Sequence, residues 1–164
     1  MIEVREMDQF EIDNVISGRD YGHLACSQND QPYVVPVHYV YDESRIYIYT
    51  TEGKKTEIID SNPHVCLQVE EVTNGEDWRS VIVVGDASQI TEPKEREKAI
   101  RLIRAGNPTL TPALSVRWMD CWVRENREVI YRITPTAMTG RMSVKAKTNA
   151  VFTRPSSKRR AQIY

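Results

Sequence analysis

The residues best suited to chemistry lie in Tyr49-Thr50-Thr51-Glu52-Gly53-Lys54-Lys55-Thr56. A strand rich in β-branched and aromatic residues delivers two threonine hydroxyls, Gly53 permits a tight turn, and Lys54 and Lys55 open the helix beyond it. The start of a helix carries unbonded N–H groups and the positive end of the helix dipole, so the combination reads as a pocket for an anion such as a cofactor phosphate. The same lysine pair also fits a solvated helix start.

Two further segments hold more than packing requires. Pro36, within Pro32-Tyr33-Val34-Val35-Pro36-Val37-His38-Tyr39, removes a ladder donor and marks an edge, a bulge or a place where another group approaches the backbone. A flat heteroaromatic ring could use the N–H and C=O groups exposed there. Trp78-Arg79-Ser80-Val81 opens a strand with an aromatic, a cation and a hydroxyl. His38 belongs to the first segment, whereas His23 and His64 each begin a strand beside turn residues, a structural position. Cys26, Cys66 and Cys121 show no ligand spacing; Cys26 and Cys66 sit in apolar runs and read as buried reduced thiols, and no metal site is expected.

Periodicity supplies the elements that must hold these residues. Residues 8–18 form an amphipathic helix with Phe10, Ile12, Val15 and Ile16 apolar. Segments 22–27, 33–41 and 45–50 are strands separated by the polar turns 28–32 and 42–44, a β-meander. Gly53 to Asn62 is a helix stopped by Pro63, and 64–71 alternates as a strand with Val65, Leu67 and Val69 on one face. A polar loop is expected at 72–77, then a long strand to Ile90 in which Gly85 suggests a bulge. A helix over 92–104, an ambiguous excursion over 105–127 with Trp118 and Trp122, and a last strand over 128–138 complete the chain. Strands joined by tight turns predict a mainly β fold, an antiparallel β-barrel with peripheral helices. The strand–helix alternation and the GxGxxG fingerprint that would argue for a parallel doubly wound sheet are missing.

With 164 residues, 40% hydrophobic and 27% charged, the composition is that of one globular domain. No run reaches the roughly 18 apolar residues of a membrane helix, and the charged N-terminus lacks a signal-peptide core, so a cytoplasmic location is expected. The net charge of −1 hides an asymmetry: from Arg141 onward there are seven cations and no acid, leaving −8 for residues 1–140. That basic end reads as a flexible tail; a nucleic-acid role has no aromatic-basic interleaving or motif behind it.

Taken together, GHLACSQNDQPYVVPVHYVYDESRIYIYTTEGKKTEIIDSNPHVCLQVEE and DWRSVIVVGDA resemble the pyridoxamine 5′-phosphate oxidase-like FMN-binding split barrels, closest to the nitroimidazole-resistance-type flavoproteins. The resemblance covers about residues 8–141 and implies an FMN-binding split barrel of antiparallel Greek-key type over 1–141, with 142–164 as the basic tail. It implies a homodimer that binds FMN in clefts between subunits. The ring would lie along Val35, Pro36, Val37 and His38, and the phosphate against Thr50, Thr51, Gly53, Lys54 and Lys55. Ser80 would reach the ring, with Arg79 and Val81 beside it, and Arg141 of Thr139-Gly140-Arg141 would border the cleft.

His38 would then sit beside the flavin as a proton donor or polar gate. The Arg-rich substrate motif of the oxidase proper has no match, so an FMN-dependent oxidoreductase acting on a nitro compound, quinone or similar planar acceptor fits better than vitamin B6 oxidation. The alternative is a non-enzymatic flavin, haem or deazaflavin binder on the same barrel, with His38 or His64 as an axial haem ligand.

Overall fold

A computed structural model describes residues 2–106 and 127–145. The elements are β1 (Ile2–Glu6), α1 (Gln9–Ser17), β2 (Tyr21–Gln28), β3 (Gln31–Asp42), β4 (Arg45–Thr51), α2 (Lys54–Ser61), β5 (His64–Asn74), β6 (Asp77–Gln89), α3 (Pro93–Gly106) and β7 (Glu128–Lys145).

Both turns of the expected meander have two residues. Asn29-Asp30 and Glu43-Ser44 take positive φ at both positions, the geometry that matches the twist of paired antiparallel strands. The chain then leaves β4 through α2, and β5 returns beside β2, giving the Greek-key order β5-β2-β3-β4. Strand β7 closes the barrel by pairing β4 through Glu128–Ile133 and β6 through Tyr131–Met142. All pairings are antiparallel. The expected bulge is present: the β6–β7 register shifts at Val84/Gly85, where a Cβ on Gly85 would stand 2.4 Å from the Thr134 carbonyl oxygen.

Alternation builds the interior. Val65, Leu67 and Val69 of β5 and Val81 and Val83 of β6 point inward with Leu24, Ile46, Ile48 and Ile133, all nearly solvent-free. Ile12, Val15 and Ile16 of α1 and Ile58 and Ile59 of α2 join this core. A second cluster lies outside the barrel wall, where Ala99 and Ile103 of α3 pack with Tyr47, Ile90 and Ile130.

Three expectations need correction. Residues 2–6 form a strand where none was expected, because the end of β7 offers them a partner from Arg141 to Lys145. For the same reason the last strand, expected to end at Met138, runs on to Lys145. The polar stretch 72–77 is mostly strand, since β5 and β6 stay paired out to Asn74↔Asp77. Cys121, Trp118, Trp122 and the tail beyond 145 lie outside the described residues. No helix among the described residues is long and apolar enough to cross a membrane.

Candidate functional site

The start of α2 is built by its own backbone and Thr56. Gly53 has no side chain to cap with; instead its N–H donates to Thr56 Oγ1 (2.9 Å), which donates to the Gly53 carbonyl (2.7 Å). Thr56 and Glu57 N–H groups also donate to that carbonyl. The Lys54 and Lys55 N–H groups have no partner among the described residues, as the first turn of a helix leaves them. Gly53 itself is extended (φ 166°), so the turn does not demand glycine, and a Cβ there would meet nothing within 4 Å. What glycine provides is open space beside two free donors, a cradle that suits a phosphate.

The two lysines part company. Lys54 is exposed, its ammonium 5.0 Å above the Tyr33 ring. Lys55 turns inward and donates to the Thr51 carbonyl at 3.4 Å, and burial lowers its pKa. It lines an interior cavity with Thr50, Ile59, Tyr131 and Ile133. Thr51 is buried. Burial pushes the Cys26 and Cys66 thiols up, and both are free.

Strand β3 explains Pro36. Its pairing with β4 covers only Tyr39–Asp42, whereas β2 pairs it from Gln31 to His38. From 31 to 38 the side of β3 facing β4 is therefore an unpaired edge among the described residues, and a proline there costs no ladder bond. Val35 and Val37 turn toward the core, and Pro36 and His38 are exposed. The open edge offers the backbone of 31–38 on the side away from β2, together with the exposed side chains of Pro36 and His38.

Next to that edge, on the outer face of the barrel, the registers form rows. Val34, Ala25, Cys66, Val84 and Ala137 make an apolar row across five strands, with Val34 57% and Val84 45% exposed. Pro36, His23, Gln68, Ile82 and Thr139 make the next. Beyond it Glu70, Ser80 and Arg141 are in register, so Ser80 and Arg141 are brought together as neighbours.

Arg79 and Val81 do not join them. Alternation along β6 turns Arg79 to the opposite face, where its guanidinium holds Glu71 (3.2 Å) alongside Arg19. Val81 is fully buried in the core. Gly140 answers to packing, because a Cβ there would stand 2.8 Å from Met7 Sδ and 2.9 Å from Ile12 Cγ1. His64 lies away from this group, its Nδ1 2.6 Å from Asp86 Oδ1. His38 Nδ1 is 3.3 Å from the Asp20 carbonyl, and its ring meets Tyr21 edge-on at 5.6 Å.

Sequence reasoning missed Gln68 and His23. Gln68 Nε2 donates to Glu70 Oε2 (2.9 Å) and Ser80 Oγ (3.4 Å), and His23 Nδ1 lies 3.2 Å from Gln68 Oε1. The period-two pattern that put Val65, Leu67 and Val69 inside also put Gln68 outside, but cross-strand register could not be read from one strand. No group of three or more metal-ligating side chains occurs among the described residues.

Comparison with known proteins gives the family and the fold. The family model described as pyridoxamine 5′-phosphate oxidase matches residues 8–142. An uncharacterized protein of Rhizobium meliloti is 39% identical over 82 residues, 50% of this chain and 54% of that one, so the match spans about half the length of this curated relative. An FAD-binding protein from Mesorhizobium loti superposes with a TM-score of 0.70 at 28% identity, covering 88% of this chain and 100% of the other. A candidate 5-nitroimidazole antibiotic resistance protein from Bacteroides thetaiotaomicron gives 0.67 at 20% identity over 87% and 89%. The flavocytochrome Anf3 from Azotobacter vinelandii gives 0.62 at 18% over 85% and 68%. The last two likenesses speak for the fold alone.

Proposed function

The chain belongs to the pyridoxamine 5′-phosphate oxidase family, and on that premise we propose that it is an FMN-binding flavoprotein that works as an oxidoreductase on a small planar acceptor. The observation that carries the reading is the open edge of β3. From the exposed Lys54 above Tyr33, that edge runs unpaired to His38, so one elongated ligand can engage a cation at one end and bare backbone along its length.

The parts divide the work. Lys54 and the free N–H groups of Lys54 and Lys55 take the phosphate, which carries about −1.5 to −2 charges at neutral pH. Lys55, behind the Thr51 carbonyl, adds positive field from inside the wall. The backbone of Val35–Val37 meets the edge of the ring, and Pro36 keeps a foreign strand from taking its place. Ser80 and Arg141 border the far side. Bound FMN supplies the two-electron chemistry, which is why the chain needs no nucleophile or acid–base triad of its own. A nitro compound or a quinone is the acceptor class this reading favours, and the similar Mesorhizobium loti protein is an FAD-binding one.

The active form is a homodimer joined through the outer face. A row of apolar side chains five strands wide, about 19 Å at ordinary strand spacing, is left uncovered by all three helices among the described residues. Burying it against a second copy would close a cleft over the β3 edge and shield the ring from water.

The test is the chemistry of what copurifies. Mass spectrometry of cofactor released from purified protein should return FMN. FAD would correct the identity of the flavin, and a haem absorption band in place of the two flavin bands would overturn the reading.

A further inference from the structure

A hydrogen-bonded chain on the outer face fixes the proton position of one histidine. Glu70 carboxylate oxygen can only accept, so the Gln68 amide must turn its NH2 toward Glu70 (2.9 Å) and, at 3.4 Å, toward Ser80 Oγ. Its carbonyl oxygen then faces His23 Nδ1 at 3.2 Å and requires a proton there. Neutral His23 is left with its lone pair on Nε2. Tyr21 stands edge-on to the ring at 5.7 Å and restricts its rotation. Register places His23 between Pro36 on the β3 edge and Gln68 on β5. His38, by contrast, is exposed and meets one backbone carbonyl.

We propose that His23 is the proton-exchange group of this ligand-binding face, with Nε2 as the exchanging atom and Gln68 and Glu70 as its positioning residues. The proposal rests on the cofactor reading above and deepens it. In the step, the Nε2–H bond of the imidazolium breaks and its electron pair stays on the ring nitrogen. The proton passes to an anionic oxygen or nitrogen of the reduced acceptor. Nδ1–H remains bonded to Gln68 throughout, and water returns the proton to Nε2. The charged or titratable groups facing His23 are Glu70 through Gln68, His38 beyond Tyr21, and Arg141 across from Ser80.

Long-range 1H–15N spectra of the full chain without cofactor, taken at about pH 8.5 where an ordinary imidazole is neutral, read the tautomer directly. His23 should appear as the Nδ1–H form, and an Nε2–H form would overturn the proposal. Gln68→Ala should lose that preference, while Gln68→Glu, which still offers an acceptor, should keep it; an unchanged preference in Gln68→Ala would refute the positioning role. With FMN loaded and reduced by dithionite, transfer to 1,4-benzoquinone should slow about 10²-fold in His23→Phe, the usual scale of a lost proton donor, with FMN affinity retained. An unaltered rate in FMN-loaded His23→Phe would overturn the proposal by itself. Failure of the wild-type chain to take up FMN is a separate outcome that defeats the cofactor reading and this proposal with it.

Discussion

Lys54 and Lys55, neighbours in sequence, leave the start of α2 in different directions, Lys54 exposed and Lys55 half-buried. Lys54 lies over the face of the Tyr33 ring, and Lys55 donates to the Thr51 carbonyl beside an interior cavity. Two adjacent cations therefore do different physical work, which makes their substitutions separable.

Lys55 is desolvated, with no carboxylate beside it among the described residues, so its charged form is disfavoured in the folded state and its pKa falls. A lysine with a lowered folded pKa costs stability wherever it must stay charged, and that cost disappears as pH rises through the lowered value toward the unfolded one near 10.5. Lys55→Met should therefore melt higher than wild type at pH 7, and the gap should narrow as pH approaches about 10 to 11. Thermal melts of both proteins across that range check the sign. The difference between them is the quantity to follow, because burial also raises Tyr39 and Tyr131 and weakens any fold at high pH.

The glycines predict opposite outcomes. Gly85→Ala drives a Cβ into the Thr134 carbonyl at 2.4 Å, backbone against backbone, and should cost about 1–3 kcal/mol, the range for overpacking. In Gly140→Ala the nearest atom is the flexible Met7 Sδ, so the loss of stability should be smaller. Gly53→Ala meets nothing and should leave the melting temperature within about 1 kcal/mol equivalent of wild type. It should still weaken FMN binding, because the new methyl group occupies the space beside the free N–H donors. Differential scanning calorimetry together with an FMN titration separates the three.

Val84→Lys places a charge in the middle of the apolar row of the outer face. If the proposed dimer forms through this face, the variant should be a monomer by sedimentation equilibrium with an unchanged circular dichroism spectrum. A wild-type chain that is already monomeric at micromolar concentration would remove the partner from the cleft.

Much of this was legible in the residues themselves. Val65, Leu67 and Val69 announced the inner face of β5 by period two, Pro36 announced an edge, and Gly85 a bulge, because each reflects a local steric or hydrogen-bonding constraint. Arg79 and Ser80 show the limit. Adjacent strand residues point to opposite faces, so only one of the pair could share a site with Arg141, and the ion pair with Glu71 decides which. β1 was hidden for a different reason: Ile2-Glu3-Val4-Arg5-Glu6 has every side chain exposed, and it is a strand because β7 extends far enough to pair with it. The link from Glu70 through Gln68 to His23 joins two strands, and only the register reveals it.

The central claim is that Lys54 and the start of α2 hold the phosphate of FMN. Titration of cofactor-free protein with FMN, followed by quenching of flavin fluorescence, tests it most directly. One FMN per chain should bind to wild type, and Lys54→Ala should weaken binding about tenfold to a hundredfold, the worth of one charge-assisted hydrogen bond of about 1.5–3 kcal/mol. Equal affinity in wild type and Lys54→Ala, or no binding to either, would contradict it.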